Sequence, residues 1–179
     1  MIVKTKLSTY VICNNEFYRE SVMAMLQNYP APEKDVTIVI DAPWGFAFQR
    51  VQAKSEVWIV ITDSPCPEYW EDLWDLEPTA VVAGNKSIEE IMQVIYRAAS
   101  GERSKVIPFY EQKLTFKERK ILRFCAQGCT DKEIAKHFEQ SQQTISNSLK
   151  VIYDKLELPQ RNRTSAALYY WGIQGNHSK

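Results

Sequence analysis

The side chains in this sequence best suited to chemistry are hydrogen-bonding groups rather than nucleophiles. The run Ser141-Gln-Gln-Thr144-Ile-Ser-Asn147-Ser-Leu-Lys150 gathers hydroxyls, carboxamides and a cation into a short stretch. If Ser141 caps a helix, Gln142, Gln143 and Thr144 fill its first turn. Their hydroxyl, amide and backbone N–H donors then stand at the positive end of the helix dipole, where phosphate oxygens bind. Ser146, Asn147 and Lys150 fall on the outward face. The Asn147 carboxamide matches N6 and N7 of adenine, and the Lys150 ammonium reaches guanine or a phosphate. Lys132 and Lys155 read as further phosphate contacts. The plainer alternative for each cation is a solvated surface charge.

Other chemistries find less support. The histidines are His137 and His177, one on the polar side of a short helical pattern and one in a polar tail. There is no Gly-rich phosphate loop, no nucleophile elbow and no paired-carboxylate motif, so the expected class is not an enzyme. The cysteines are Cys13, Cys66, Cys125 and Cys129, with no Cys-x-x-Cys pair. Cys125 and Cys129 could share a helix face as half a metal site. Alternatively, Cys125 is a small core residue and Cys129 lies in the following turn. No metal or other cofactor is expected.

The elements that must position these groups follow from charge and periodicity. Residues 1–107 carry 10 Lys and Arg against 15 Asp and Glu, and residues 108–179 carry 12 against 7. An acidic half joined to a basic half predicts two domains with different partners, the basic one suited to phosphates. In the acidic half, strands are predicted at Thr9–Cys13, Val36–Ile40, Val57–Ile61 and Ala80–Ala83. Helices are predicted at Phe17–Asn28 (Val22, Met25 and Leu26 at apolar spacing), Gly45–Ala53, Glu68–Leu76 (Trp70, Leu73 and Trp74 inward) and Ser87–Ser100. Such alternation predicts a parallel sheet covered on both faces. Residues 102–113 lack periodicity and carry Pro108, which reads as a linker.

The basic half is helical by pattern. Thr115-Phe-Lys-Glu118 and Thr130-Asp-Lys-Glu133 are capping boxes. The first helix turns Ile121, Leu122 and Cys125 inward, and the second Ile134, Ala135 and Phe138. The third, opened by Ser141, carries the stripe Ile145, Leu149, Ile152, Leu156 and stops before Pro159. A last short helix spans Thr164–Trp171. Closely spaced helix starts with a tight turn between the second and third describe a helix-turn-helix.

The same residues carry a resemblance. Leu114-Thr-x-x-Glu118-x-x-Ile-Leu122, Ala126-x-Gly128, Thr130-Asp-Lys-Glu-Ile-Ala135, Ser141-x-x-Thr144-Ile145, Ile152-Tyr-x-Lys155-Leu156 and Arg161 occur in the order of the LuxR-type (NarL/FixJ-type) DNA-binding domain. The resemblance implies a four-helix domain whose third helix, about Gln142 to Leu156, enters the major groove. It also implies that the last helix contributes to a dimer, and Ala166, Ala167, Tyr170 and Trp171 form its apolar surface. Many members carry Lys, His and Asn where this chain has Ser146, Ser148 and Val151.

The acidic half is similar to a response-regulator receiver in its strand-helix order, in Arg19-Glu20, and in Ser87-x-Glu-Glu-Ile91 leading to Ala99-x-Gly-Glu-Arg103. At the receiver's acidic pair, phosphorylatable Asp and Lys, this reading finds Cys13-Asn14, Ile61 and Gly84, with Asp63 the nearest carboxylate. Mg²⁺ wants oxygen ligands, which Cys-Asn does not supply as carboxylates. The expectation is an α/β receiver-like domain over 1–104, one βα unit short and not phosphorylated on Asp. A linker at 105–112 and an all-α LuxR-type domain over 113–179 follow. The expected function is a phosphorylation-independent transcriptional regulator binding double-stranded DNA as a dimer. One alternative is an auxiliary regulator that acts by heterodimerising with another LuxR-type protein. Another is a small-ligand sensor using Trp44, Phe46, Phe48, Trp58, Trp70 and Trp74. No signal peptide or stretch of ~20 apolar residues is read, so a cytoplasmic protein with no membrane partner is expected.

Overall fold

The computed structural model describes residues 2–4, 9–49 and 56–173. Its elements are β1 (Ile2–Lys4), β2 (Thr9–Ile12), α1 (Glu16–Leu26), β3 (Val36–Ile40), a 3₁₀ turn (Ala47–Gln49), β4 (Val57–Thr62), α2 (Pro67–Trp74), β5 (Ala80–Ala83), α3 (Ile88–Ala99), β6 (Ser104–Val106), α4 (Phe116–Ala126), α5 (Asp131–His137), α6 (Gln142–Lys155) and α7 (Arg163–Tyr170). The chain divides into two units. The first is Met1–Pro65 with Leu73–Phe109, and the second is Cys66–Asp72 with Tyr110–Lys179.

In the first unit β2 to β6 pair in parallel, and β1 pairs antiparallel with β2 at the edge. The strands follow one another across the sheet in chain order. Buried parallel strands need apolar residues on both faces, which is why Val36-Thr-Ile-Val-Ile40 reads as a continuous run rather than an alternation. One face sets Val11, Val36, Ile38, Val57, Ile59, Ala80 and Val82 in a single core with Leu26 of α1 and Met92, Ile95 and Ala99 of α3. Ser87 and Glu90 close a reciprocal capping box at the start of α3, and Gly101 ends the helix at φ +95°.

Several details differ from the sequence expectation. Met25 is 40% exposed, together with Phe17 and Tyr18, so the inward face of α1 is narrower than its apolar residues imply. Trp74 is half-buried, with Arg103 over its ring at 4.7 Å. The expected linker begins with a strand, since Ser104–Val106 extends the sheet beside β5. Three residues are too few to show a period. The expected helix at 45–53 is a 3₁₀ turn where described, and its residues 50–53 lie outside the described residues, as does His177.

The strands pair in chain order, so β3 lies directly beside β2, joined to it through the single helix α1. The carboxylate at the end of the strand beside β2 is therefore Asp41. Asp41 is 1% exposed. Its Oδ1 accepts from the Ala47 N–H at 2.9 Å and its Oδ2 from the Thr62 hydroxyl at 3.2 Å. The expected Asp63 is exposed at the end of β4 and accepts from Trp44 Nε1.

In the second unit the capping boxes Thr115–Glu118 and Thr130–Glu133 are both closed. Ser141 caps α6 and Asn162 caps α7 through their side chains. Gly128 at φ +87° ends the α4 turn, a conformation that favours glycine. Ile121, Leu122, Ile134, Ile145 and Ile152 are all fully buried, so the predicted stripes of α4, α5 and α6 meet in one core.

Asp41→Ala leaves a buried amide and a buried hydroxyl without this acceptor. It is expected to lower stability by about 1–3 kcal/mol, read as a reduced urea midpoint at unchanged slope.

Candidate nucleic-acid interface

Helix α6 is held by one apolar stripe. Ile145, Leu149, Ile152 and Leu156 are buried, and the opposite side is left to solvent. Gln142, Gln143, Thr144, Asn147, Lys150, Val151 and Asp154 are exposed, and Ser146, Ser148 and Lys155 are half-buried. At its start the Ser141 hydroxyl accepts from the Thr144 N–H at 3.0 Å and pairs with the Thr144 hydroxyl at 2.8 Å. First-turn amides have no carbonyl within the helix to bond, so those of Gln142 and Gln143 face outward as donors. One turn on, Gln143 Nε2 donates to Asn147 Oδ1 at 3.1 Å. The pair thus presents the Gln143 carbonyl as acceptor and the Asn147 Nδ2 as donor on one face.

The expected cations separate into two groups. Lys132 in the first turn of α5 and Lys150 on α6 are exposed. Lys155 is engaged within the domain, where its Nζ donates to both Glu118 oxygens at 2.7 and 2.8 Å. Burial raises the Glu118 pKa, but Lys155 and Thr115 outweigh it and hold the carboxyl below its usual value. Lys155 is therefore first a clamp between α6 and α4. The structure adds Lys136, exposed on α5 four residues after Lys132 and so on the same face. That i,i+4 spacing was legible in the sequence. Asp154 is paired with Arg161 at 2.9 Å, and Arg163 with Asp131 and the Cys129 carbonyl.

The four residues expected on the apolar surface of the last helix are unequally exposed. Ala166 and Tyr170 are fully buried, and Ala167 and Trp171 are half-buried. The helix α7 packs on α4, and Tyr170 and Trp171 also meet residues 66–72 of their own unit. The Tyr69 ring lies 5.4 Å from Tyr170 and 6.0 Å from Trp171. Tyr170 donates to Asp72 Oδ2 at 2.7 Å, Tyr169 to Glu68 at 2.6 Å, and Trp171 Nε1 to the Ala126 carbonyl at 2.9 Å. Arg119 and Arg123 of α4 stand 3.7 and 4.0 Å from the Asp72 carboxylate. Sequence reading treated the four helices alone, and nothing local shows that a segment some forty residues upstream completes their packing.

Of the remaining candidates, Cys125 is buried, with burial pushing its thiol pKa up, and Cys129 is half-buried. No group of three or more His, Cys, Asp or Glu side chains among the described residues could hold a metal ion. No helix among them is long and apolar enough to cross a membrane. Of the six aromatic residues considered for a ligand site, Phe46 and Trp70 are buried, and Trp44, Phe48, Trp58 and Trp74 are half-buried. An open groove of about 410 Å³ is lined by residues including Lys34, Glu56, Glu77 and Arg103. Another of about 330 Å³ is lined by Asn14, Asn15, Tyr18, Ala42 and Pro43.

Residues 112–170 match the family of bacterial regulatory proteins, luxR family. No curated protein matches the chain. Among solved structures it is similar to the response regulator ChrA of a haem-sensing two-component system, at 15% identity over 91% of this chain and 95% of that one, with a TM-score of 0.43. It is similar to RcsB in a structure of two dimers bound to two parallel DNAs, at 20% identity over 84% and 79%, TM-score 0.42. It is also similar to RcsB from Salmonella enterica serovar Typhimurium bound to the promoter rprA in the presence of phosphomimetic BeF₃⁻, at 20% identity over 86% and 82%, TM-score 0.41. Likeness of this size transfers no residue role to this chain.

Tyr170→Phe tests the covering of α7. Burial raises the Asp72 pKa, and the Tyr170 hydrogen bond with Arg123, Lys120 and Arg119 opposes that rise. A raised carboxyl means the folded state takes up its proton more readily than the unfolded one. Stability therefore falls as pH rises from the ordinary carboxylate range through the raised value. Removing the hydroxyl weakens the ionised form further. The expected loss is about 1.5–3 kcal/mol at neutral pH, and smaller below the Asp72 titration, in denaturant melts at the two pH values.

Proposed function

We propose that this chain, whose residues 112–170 form a LuxR-type helix-turn-helix domain, is a phosphorylation-independent transcriptional regulator that reads the DNA major groove with α6. The observation that carries this reading is the face of α6 opposite its buried stripe. It begins with Gln142, Gln143 and Thr144 at the positive helix end and continues through Asn147 and Lys150, all exposed. Donors at the helix start suit phosphates, and the carboxamides one turn on suit base edges. Lys132 and Lys150 supply phosphate contacts, with Ser146 beside them. Lys155 contributes through its clamp on Glu118. This is binding chemistry, and no enzymatic activity is assigned.

Independence from phosphate rests on the first unit. Both Asp41 oxygens already accept hydrogen bonds, and the residues after β2, Cys13 and Asn14, supply no carboxylate for Mg²⁺. DNA sites read by such domains are commonly paired, which calls for a dimer. With Ala166 and Tyr170 buried, dimerisation through α7 would use its half-buried and exposed side chains, Thr164, Ala167, Leu168 and Trp171 among them. The same covering favours a second reading, in which the protein acts by pairing with another LuxR-type regulator. DNA binding by the pure protein, compared with binding after such a partner is added, separates the two.

Incubation with a small phosphodonor and Mg²⁺ is expected to leave the intact mass unchanged. A hydroxylamine-labile phosphate on Asp41 or Asp63 would refute this independence.

Binding is expected to weaken steeply with salt, and Lys150→Ala to reduce the log–log slope by about 1 per monomer. Lys155→Ala should change that slope less. Asn147→Ala should cost about 1–3 kcal/mol and relax one base position in a selection over random DNA. Salt-independent association would show that the basic domain does not dock on phosphates.

A further inference from the structure

Val151 stands out on the proposed reading face. It is 46% exposed, whereas its neighbours Leu149 and Ile152 are buried. With Gln143 and Asn147 it forms a line at spacings of four, so the three side chains lie one above another on one side of α6. The other large exposed apolar side chains of the second unit have different settings. Phe116 lies under Lys120 at 4.9 Å and Arg119 at 5.5 Å. Ile173 follows the last helix, at the end of the described residues. Val151 projects from the middle of a polar surface, between exposed Lys150 and Asp154. Neither packing nor propensity favours it there. A β-branched side chain loses rotamer freedom in a helix, and an exposed position gives no core contact in return.

We propose that Val151 is a specificity residue that reads a thymine through its C5 methyl group. In the major groove, thymine is the base that presents a methyl, and small apolar side chains recognise it by contact. The isopropyl group removes that methyl from water, while Asn147 one turn earlier addresses a neighbouring base and Lys150 a flanking phosphate. Four residues advance a helix by about 6 Å, and successive bases on one strand are about 3.4 Å apart. The thymine read by Val151 therefore lies about two base steps from the base read by Asn147. The inference rests on the proposed DNA binding through α6 and adds a specific base contact to it.

The test uses the full chain and a duplex recovered by selection over random DNA. Each thymine in turn is replaced by deoxyuridine, which pairs identically but lacks the methyl. At one thymine per half-site, wild type should lose about fourfold in affinity, the value of one buried methyl-sized group. Val151→Ala should show a smaller loss there, because its shorter side chain covers less of the methyl. Its circular dichroism and melting temperature should match wild type, because Val151 is not a core residue. No methyl-sensitive thymine, or a methyl effect of equal size in Val151→Ala, overturns the assignment while leaving DNA binding intact. Failure of wild type to bind any selected duplex overturns the function reading instead.

Discussion

The rotation of α6 about its own axis is the constraint on which the interface depends. Ile145, Leu149, Ile152 and Leu156 are buried on one side. Each fully buried aliphatic side chain is worth about 1.5–3 kcal/mol. A surface pair such as Gln143–Asn147 is worth only about 0.2–0.5 kcal/mol. The stripe therefore decides which way the helix turns, and the polar face follows from it. Asn147, Lys150 and Val151 are exposed because the core has no place for them. The Lys155–Glu118 pair then ties the end of α6 to the start of α4, where Glu118 already completes the capping box with Thr115.

A second set of contacts gives the helical unit its other side. Asp72 is fully buried with Tyr170, Arg119 and Arg123 around it. Taking a carboxylate out of water is costly unless donors and opposite charge replace the water; Tyr170 and the arginines offset part of that cost, and burial still raises the Asp72 pKa. Tyr169 on Glu68, and Tyr110 on Glu71, repeat the device along residues 66–72. These polar contacts are directional, so they set the position of that segment against α7 more narrowly than ring packing alone. Tyr170 is thereby used inside the unit, while Ala167 and Trp171 stay half-buried.

In the first unit a carboxylate at the end of a central strand is held in structural bonds. Asp41 binds an amide of the following turn and the hydroxyl of Thr62 on the next strand. A carboxylate used in this way ties β3 to β4 across their carboxyl ends. Its burial results from the chain-order sheet, which places β3 between β2 and β4.

Much of the helical unit was legible in the sequence because its signals are local. The reciprocal boxes at Thr115–Glu118 and Thr130–Glu133, the Ser141 cap and the 3.6-residue stripe of α6 each lie within a few residues of chain, so their positions follow from short-range hydrogen bonding and burial. The strands at Val36 and Val57 were legible from their β-branched runs for the same reason. Strand order was not, because a run of apolar residues does not state which neighbour it pairs with. The engagement of Lys155 by Glu118, and of Tyr170 by Asp72, also lay outside the sequence. A cation reads the same whether it faces solvent or a carboxylate, and partners 37 and 98 residues apart leave no periodic trace. Local bonding determined where the helices begin and which face each one buries. Only the tertiary structure decided which of the remaining polar and aromatic side chains are still free to meet a partner, because long-range packing consumes some of them and leaves the others in water.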